Sequence, residues 1–459
     1  MTTHALSMDR ERPYGLYAIC FGFFLVLFDT TALNVAVASM HREFGGSMSS
    51  LQWIVNAYTI IFASLVLTCG ALGDRYGAKR LYQLGLGLFT AMSLGCALAP
   101  NVGALIALRM LQGLGAAAML PASLALLSHA FRDPLERARA VSFWASIVSL
   151  GFAAGPALGG VFTSAFGWRS IFLLNVPTGI AALLMVRTHI DETDTSTSRS
   201  LDWVGQLCVS LSLWALSYAL IEAGNFGWSS ARVLTAFATA VSFAAMCAFS
   251  EKRSESRVFP PALFSRPAFV ACLAAGIVLN VGCYGILFVE SIYLQNVRHL
   301  SALATGAMIV PLTLAPTITT RTLDRFAADM HFKPRLVAGQ IIGLLGAAAL
   351  VISVVVPATL VIILGLLLLG VALGYVTPAM TTGVLAASPA NMSGLASGIL
   401  NAGRQVGGAI GVALMGTLVE MHGGRGMFAA FSIALVLFGV MGIAAQRAIP
   451  EPHRLTGPS

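Results

Sequence analysis

The chain has 459 residues, of which 57% are hydrophobic and only 10% charged, where a soluble domain carries roughly 25% charged residues. With a mean hydropathy of +0.83, this composition excludes an ordinary soluble domain and points to a chain that crosses a membrane many times. The formal net charge of +8 raises the question of nucleic acid, which the placement of that charge along the chain answers.

A membrane-crossing helix needs about 20 mostly apolar residues. In chain order, fourteen runs are read as spans: 15–38, 51–72, 81–100, 103–128, 140–165, 170–189, 203–222, 231–250, 268–294, 303–320, 335–356, 358–386, 395–419 and 427–446. The first run ends near Ala36-Val37-Ala38, which resembles a signal-peptide cleavage site. It is read as a span instead, because it is long, Asp29 interrupts it and many similar runs follow. The seven cysteines, Cys20, Cys69, Cys96, Cys208, Cys247, Cys272 and Cys283, all fall in apolar segments without metal-ligand spacing. They read as small buried hydrophobes rather than disulfide or redox partners.

With the N-terminus placed inside, 20 of the 27 Lys and Arg residues fall in inside loops or tails. Five, Arg42, Arg169, Arg232, Arg298 and Arg425, fall outside, and Arg109 and Arg404 lie within spans. This is the positive-inside pattern. It places both termini in the cytoplasm of a cell-membrane protein, and it accounts for the basic charge without nucleic acid. The polar stretches 191–202 and 251–261 bracket spans seven and eight. The chain thus divides into an N-terminal six-helix bundle (1–190), a polar linker with an inserted two-helix hairpin (191–257), and a C-terminal six-helix bundle with a short tail (258–459). Leu72-Gly73-Asp74-Arg75 after span two and Leu323-Asp324-Arg325 after span ten are a faint internal repeat. Two related bundles about an axis along the membrane normal, with a path between them, is the architecture this suggests.

Span one, FGFFLVLFDTTALNVAVA, holds Asp29 in its middle. An ionised group there costs about 2.5–3.5 kcal/mol on insertion scales, so something offsets the charge or uses it. The loop GALGDRYGAKR (70–80) carries Gly70, Gly73 and Gly77, which permit a tight turn and close helix approach. Asp74 is placed to accept from a neighbouring helix N-terminus. Arg75, Lys79 and Arg80 are placed at the anionic inner surface. Together they read as a conformational latch; the basic residues alone would be an ordinary inside loop. Span four carries LIALRMLQGLGAA, where Arg109 needs a carboxylate, a carbonyl or water. Gln112 lies nearly one turn on, and Asp29 is a candidate partner. A purely structural ion pair is the competing reading. In span five, GFAAGPALGG, residues Gly151, Gly155 and Gly159 line one face, Gly160 follows, and Pro156 removes an internal hydrogen bond and kinks the helix.

These residues carry a resemblance. GALGDRYGAKR, RMLQGLGAA and GFAAGPALGG resemble the signature motifs of the major facilitator superfamily, the third of them the motif associated with antiporters. FDTTALNVAV, GWRSIFLLNVPTG, LDWVG and SGLASGILNAGRQVGGAIG resemble its fourteen-span drug:proton antiporter branch, and the whole is similar to the methylenomycin A resistance type of exporter. There are departures. Ala78 stands where the loop motif usually has Arg, Ala38 replaces a frequent Pro, and TTRTLDRFAADMHFKPR in the second half lacks the glycines. The resemblance implies an all-α polytopic fold of two six-helix bundles plus the inserted hairpin, and proton-coupled export of small hydrophobic or amphipathic drugs.

On that reading Asp29 takes a proton from outside and yields it inside, with Arg109 beside it; the competing role is a structural carboxylate held by Thr30, Thr31 or Asn34. Burial disfavours an ionised carboxylate and a nearby Arg favours it, so movement of the helices could switch its state. Glu290, in ILFVESIYLQ, is the second acid expected on the path, ahead of Glu222 and Glu420 near span ends. Arg404, in NAGRQVGG, mirrors Arg109 loosely. The substrate surface should be apolar with few polar groups; Phe24, Phe28, Asn34, Trp53, Asn56, Tyr58, Gln112, Phe143, Trp144, Tyr284, Tyr293, Gln295 and Arg404 are the candidate lining residues. A carboxylate in such a cavity would favour cations or neutral amphiphiles. No phosphate-binding loop, HExxH or catalytic triad stands out, so no cofactor, metal or enzymatic activity is expected. The expected partners are a drug-like small molecule, protons and the lipid bilayer, with the chain acting as a monomer. Two alternatives stand beside export: import of a small metabolite by symport or uniport, and a non-transporting membrane sensor.

Overall fold

Among the described residues fourteen long helices follow one another, many of them bounded by recognisable local chemistry. A computed structural model describes residues 12–131, 133–192, 203–253, 260–327, 330–389 and 392–450. In the first half lie α1 (Arg12–Phe44), α2 (Met48–Tyr76), α3 (Ala78–Ala97), α4 (Val102–Ala130), α5 (Pro134–Phe166) and α6 (Arg169–His189). Next come α7 (Trp203–Phe226) and α8 (Ala231–Arg253). After one turn of helix at Pro261–Phe264, the second half has α9 (Pro267–Ile292, continued by a π turn, Tyr293–Val297), α10 (Ala302–Phe326), α11 (Phe332–Val355), α12 (Thr359–Ala386), α13 (Ser393–His422) and α14 (Gly424–Ala448). Side-chain caps start several of them: Asn101 accepts from the Ala104 N–H, Asp133 from those of Leu135 and Glu136, and Ser301 from that of Ala304. Gly77 ends α2 at a φ of 97°, a conformation that glycine adopts without strain.

Each predicted run falls on one of these helices, with ends that differ by a few residues. Among the described residues, twelve helices are long and apolar enough to cross a membrane on length and composition. The two that fall short are α3, whose first turn carries Lys79 and Arg80, and α13, which mixes Asn401, Arg404 and Gln405 with glycines. The expectation of fourteen apolar crossings is thus met by twelve on composition. Most of the polar linker, 193–202, and residues 254–257 of the hairpin segment lie outside the described residues, as do Arg10, Arg132, Arg199, Arg257 and Arg454 of the inside charge set.

The packing repeats. In the first half α1 packs on α5 and α6, α4 on α2 and α3, and α3 on α6. In the second half α9 packs on α13 and α14, α12 on α10 and α11, and α11 on α14. Adding eight to each first-half helix gives its second-half counterpart, pair for pair. The seams between halves obey the same exchange: α5 meets α10, α13 meets α2, and α1 meets α9. Two copies of one arrangement therefore face each other about a pseudo-two-fold axis. The hairpin lies outside this scheme. Helix α7 packs on both α2 and α13 and α8 packs on α7, so the pair covers one inter-half seam from the side. All seven cysteines are buried.

Candidate functional site

The charged residues in the spans come together inside the first half. Asp29 on α1 and Arg109 on α4 form an ion pair of 2.5 Å, Nη1 to Oδ2, with side chains 0% and 1% exposed. Gln112 Nε2 and Asn175 Nδ2 donate to Asp29 Oδ1 at 3.2 and 3.0 Å. The carboxylate thus accepts from three side chains on α4 and α6. Arg109 also donates from Nη1 to Gln112 Oε1 at 2.7 Å and from Nε to the Ile54 carbonyl of α2 at 3.3 Å. Its guanidinium lies over the Tyr58 ring at 4.3 Å. Ser93 Oγ on α3 accepts from Gln112 and Asn175 at 2.8 and 3.3 Å. The cluster around this carboxylate therefore ties five helices together in a medium where each of these bonds is strong. Close approach makes the geometry possible: a Cβ on Gly113 would meet the Tyr58 carbonyl at 2.5 Å.

Helix α5 connects this half to the other. Cβ atoms on Gly151, Gly155 and Gly159 would run into Phe24, Thr31 and Ala32 of α1, so this face lies directly against α1. The opposite side meets α10: a Cβ on Gly160 would meet the Ala302 carbonyl at 2.7 Å, and one on Gly306 would collide with the Pro156 carbonyl. Pro156 cannot donate to the Phe152 carbonyl. Thr31 Oγ1, which is 3.0 Å from the Leu27 carbonyl of its own helix, also reaches the Phe152 carbonyl at 3.3 Å, and Thr313 Oγ1 of α10 donates to the neighbouring Ala153 carbonyl at 3.3 Å. The proline thus frees the Phe152 carbonyl next to the Ala153 carbonyl that the second half uses.

A family model described as Major Facilitator Superfamily matches residues 19–412. The chain belongs to the Major Facilitator Superfamily. It is 35% identical over 454 residues to the methylenomycin A resistance protein of Streptomyces coelicolor, covering 97% of this chain and 94% of that one. It is 34% identical to the multidrug resistance protein Stp of Mycobacterium tuberculosis, covering 97% of this chain and 80% of that protein. The tetracenomycin C resistance and export protein of Streptomyces glaucescens is 31% identical, with 90% and 77% covered. Among solved structures, a D-xylose-proton symporter superposes with a TM-score of 0.72 at 15% identity, covering 96% of this chain and 98% of that one. At that identity the likeness concerns the fold.

Within this Major Facilitator Superfamily chain, the other predicted residues have the following surroundings. Trp53 Nε1 donates to Glu222 Oε1 of α7 at 3.0 Å and its ring stacks on Trp214 at 5.3 Å. Asn56 and Gln295 are buried in seams, donating to the Ala409 and Val35 carbonyls of the facing half at 3.1 and 2.8 Å. Asn34 donates to its own helix at Thr30, and its carbonyl receives Ser291 Oγ at 2.7 Å. Gln112 belongs to the Asp29 cluster. Tyr284 and Tyr293 are partly exposed, as is Arg404, and Tyr284 meets Phe152 of α5 edge-on at 6.4 Å. Phe24 stacks on Phe28 at 6.1 Å, Trp144 on Phe23 at 5.4 Å, and Phe143 meets Tyr17 edge-on at 5.6 Å. Glu290 is fully buried, and neither carboxyl oxygen has a hydrogen-bond partner.

The loop 70–80 differs in its details. Only Gly77 needs to be glycine for its backbone; a Cβ on Gly70 would make ordinary contact at 3.6 Å with Pro121, and one on Gly73 would press on Leu81 at 3.3 Å. Asp74 and Arg75 are exposed, and Asp74 makes no hydrogen bond among the described residues. The helix N-terminus beside it is held by Glu192 instead. Its Oε1 accepts from the Lys79 N–H at 3.0 Å, and Oε2 lies 3.4 Å from Arg80 Nε. Glu192, Asn175 and Ser93 are the participants that sequence reasoning misses. Asn175 has a signal, a lone amide in the apolar run IFLLNV; Glu192 and Ser93 have none.

Proposed function

We propose that the chain is a proton-coupled antiporter that exports small hydrophobic or amphipathic drugs across the cell membrane by alternating access. Names of relatives that speak of resistance, multidrug resistance and export favour this over import or sensing. On this reading fourteen helices cross the bilayer as two six-helix bundles with α7–α8 inserted, both termini are cytoplasmic, and the chain works as a monomer.

The observation that carries the coupling is the buried Asp29–Arg109 pair. Protonation of Asp29 removes the charge that holds Arg109, Gln112 and Asn175, and so loosens α1 against α4 and α6. A few residues along, the same helix α1 supplies the Asn34 and Val35 carbonyls that α9 grips. A proton at Asp29 thereby acts on a seam between the halves.

The seams favour one stage of the cycle. At the end bearing Phe44 and Met48, α1–α9, α2–α13 and α5–α10 are all bridged by hydrogen bonds, the last of them from the Leu303 N–H to Ser164 Oγ. At the other end Asp74 is disengaged. With the termini cytoplasmic, this is an inward-facing state, ready to take cargo from the cytoplasm. Protonation from outside then drives the return of the empty or unloading carrier. The test is uptake of drug into everted membrane vesicles under an inside-acid gradient. Uptake that stops when the gradient is collapsed is expected; gradient-independent uptake removes the antiport reading.

A further inference from the structure

We propose that Arg404 anchors a carboxylate on the exported molecule, so that the path is built for acidic amphiphiles. This deepens the export reading and rests on it. Arg404 is midway along α13, and it makes no hydrogen bond and no ion pair among the described residues; its Nε is buried without an acceptor. That contrasts with Arg109, which has a carboxylate, an amide and a carbonyl. A guanidinium within a span needs an acceptor.

No acid among the described residues is placed to supply it. Asp29 is turned into the first half and is held by Arg109. Glu222 is taken by Trp53 and Asn225. Glu420 is on the same helix 16 residues away, about 24 Å at helical rise. Gly276 of α9 lies against the Arg404 stem, where a Cβ would meet Cγ at 3.3 Å. Glu290 is 14 residues further along α9, about 21 Å. Helices α12 and α14, the other second-half neighbours of α13, carry no acid. Asp74 of α2 is at that helix's far, exposed end.

The surroundings suit an amphiphile. Met380 and Leu400 lie beside the Arg404 stem at Gly276. Tyr284, whose ring lies over Gly408 and edge-on to Phe152, continues an aromatic wall to the first half. Arg404 and Tyr284 are both partly exposed although they are in the middle of their helices. A planar fork of donors with apolar and aromatic flanks matches a carboxylate on an apolar body, with two parallel N–H···O bonds. The charge presented between the halves is therefore positive. This reverses the preference for cations that a carboxylate exposed to the path would give.

The test compares 2-naphthoate, 2-naphthamide and 2-naphthylmethylammonium on the full chain. Binding is read as thermal stabilisation in detergent, and flux in proteoliposomes under an inside-acid gradient. The expected result is that naphthoate binds at least tenfold tighter than either analogue. Arg404→Gln should lose that margin while eluting as the wild type does, and Arg404→Lys should keep part of it. Amide or ammonium binding as tight as naphthoate, or no naphthoate binding at all, overturns the assignment, and this wild-type comparison needs no variant. Undiminished naphthoate binding in Arg404→Gln also overturns it. If the gradient drives the ammonium probe and not naphthoate, export stands and the assignment falls. If naphthoate binds through Arg404 but no gradient moves any probe, the antiport reading falls and the assignment stands.

Discussion

Asp29 and Arg109 are 80 residues apart in sequence and 2.5 Å apart in space, both shut away from solvent. Burying two charges is tolerable here because each is well partnered: the carboxylate has three donors and the guanidinium three acceptors. Removing one partner leaves the other bare, which costs about 3–5 kcal/mol in comparable buried pairs. Arg109→Ala should therefore lower thermal stability strongly and stop transport. Asp29→Asn keeps an amide oxygen for Arg109, so it should reach the membrane and yet lose gradient-driven export. The double variant Asp29→Asn/Arg109→Gln should recover stability relative to Arg109→Ala without recovering flux. Full flux in Asp29→Asn would move the coupling to another acid.

Gly155 and Thr31 set a second dependence. A Cβ at Gly155 would collide with Thr31 Oγ1, the same hydroxyl that donates to the Phe152 carbonyl left free by Pro156. Gly155→Val forces α5 off α1 and takes that donor away. Overpacking of this kind costs about 1–3 kcal/mol. The expected outcome is a folded protein with reduced melting temperature and little transport. Thr31→Val, which removes only the hydroxyl, should fall between. Equal turnover in Gly155→Val and wild type would mean that α1 and α5 need no close contact during the cycle.

The contrast between these two sites shows what the amino-acid sequence can reveal. A charge in an apolar run is conspicuous, so Asp29, Arg109, Arg404 and Glu290 stand out from their neighbours in the chain alone. The spacing of four between Gly151, Gly155 and Gly159 likewise announces a close helix contact. Ser93 and Asn175 are harder, because an isolated polar residue in a span has many outlets, including its own helix. The surroundings of Trp53 are harder to read for another reason. Helical periodicity gives the faces of α2 but not which neighbour covers each one, and α7 covers the face with Trp53. The pairing of α1 with α5, repeated by α9 with α13, is a tertiary regularity between halves in which LGDR and LDR are a faint sequence trace. Asn56 and Gln295 read as lining groups because seam residues and path residues both need polar side chains at that depth.

Glu290 gives a prediction of opposite sign. Its carboxyl is enclosed by the second-half core without a hydrogen-bond partner. An unpaired buried polar group costs about 1–3 kcal/mol on mutational scales. Leucine has similar volume and no such requirement. Glu290→Leu should therefore raise the melting temperature, whereas Glu290→Gln should not. If Asp29 carries the proton, Glu290→Leu also retains gradient-driven export. Loss of coupling in Glu290→Leu, together with full activity in Asp29→Asn, would transfer the proton to α9.

The α2–α13 seam should report the conformational cycle directly. Gln52 Nε2 donates to the Val412 and Ala413 carbonyls at 3.0 and 2.7 Å, and Asn56 Nδ2 to the Ala409 carbonyl at 3.1 Å. These are second bonds to carbonyls already used within α13, made possible because Gly416 has no Cβ to collide with Gln52. Each such bond contributes about 1 kcal/mol net, so three of them are enough to bias an equilibrium between two states by orders of magnitude. Gln52→Leu/Asn56→Leu should open this end. Spin labels on Arg42→Cys and Arg425→Cys, both exposed there, would read the change as a longer distance, and the native cysteines are buried and slow to label. The double variant should also take up cargo more slowly in everted vesicles, because fewer carriers face inward. An unchanged distance distribution would show that α1–α9 and α5–α10 hold this end closed without α2–α13.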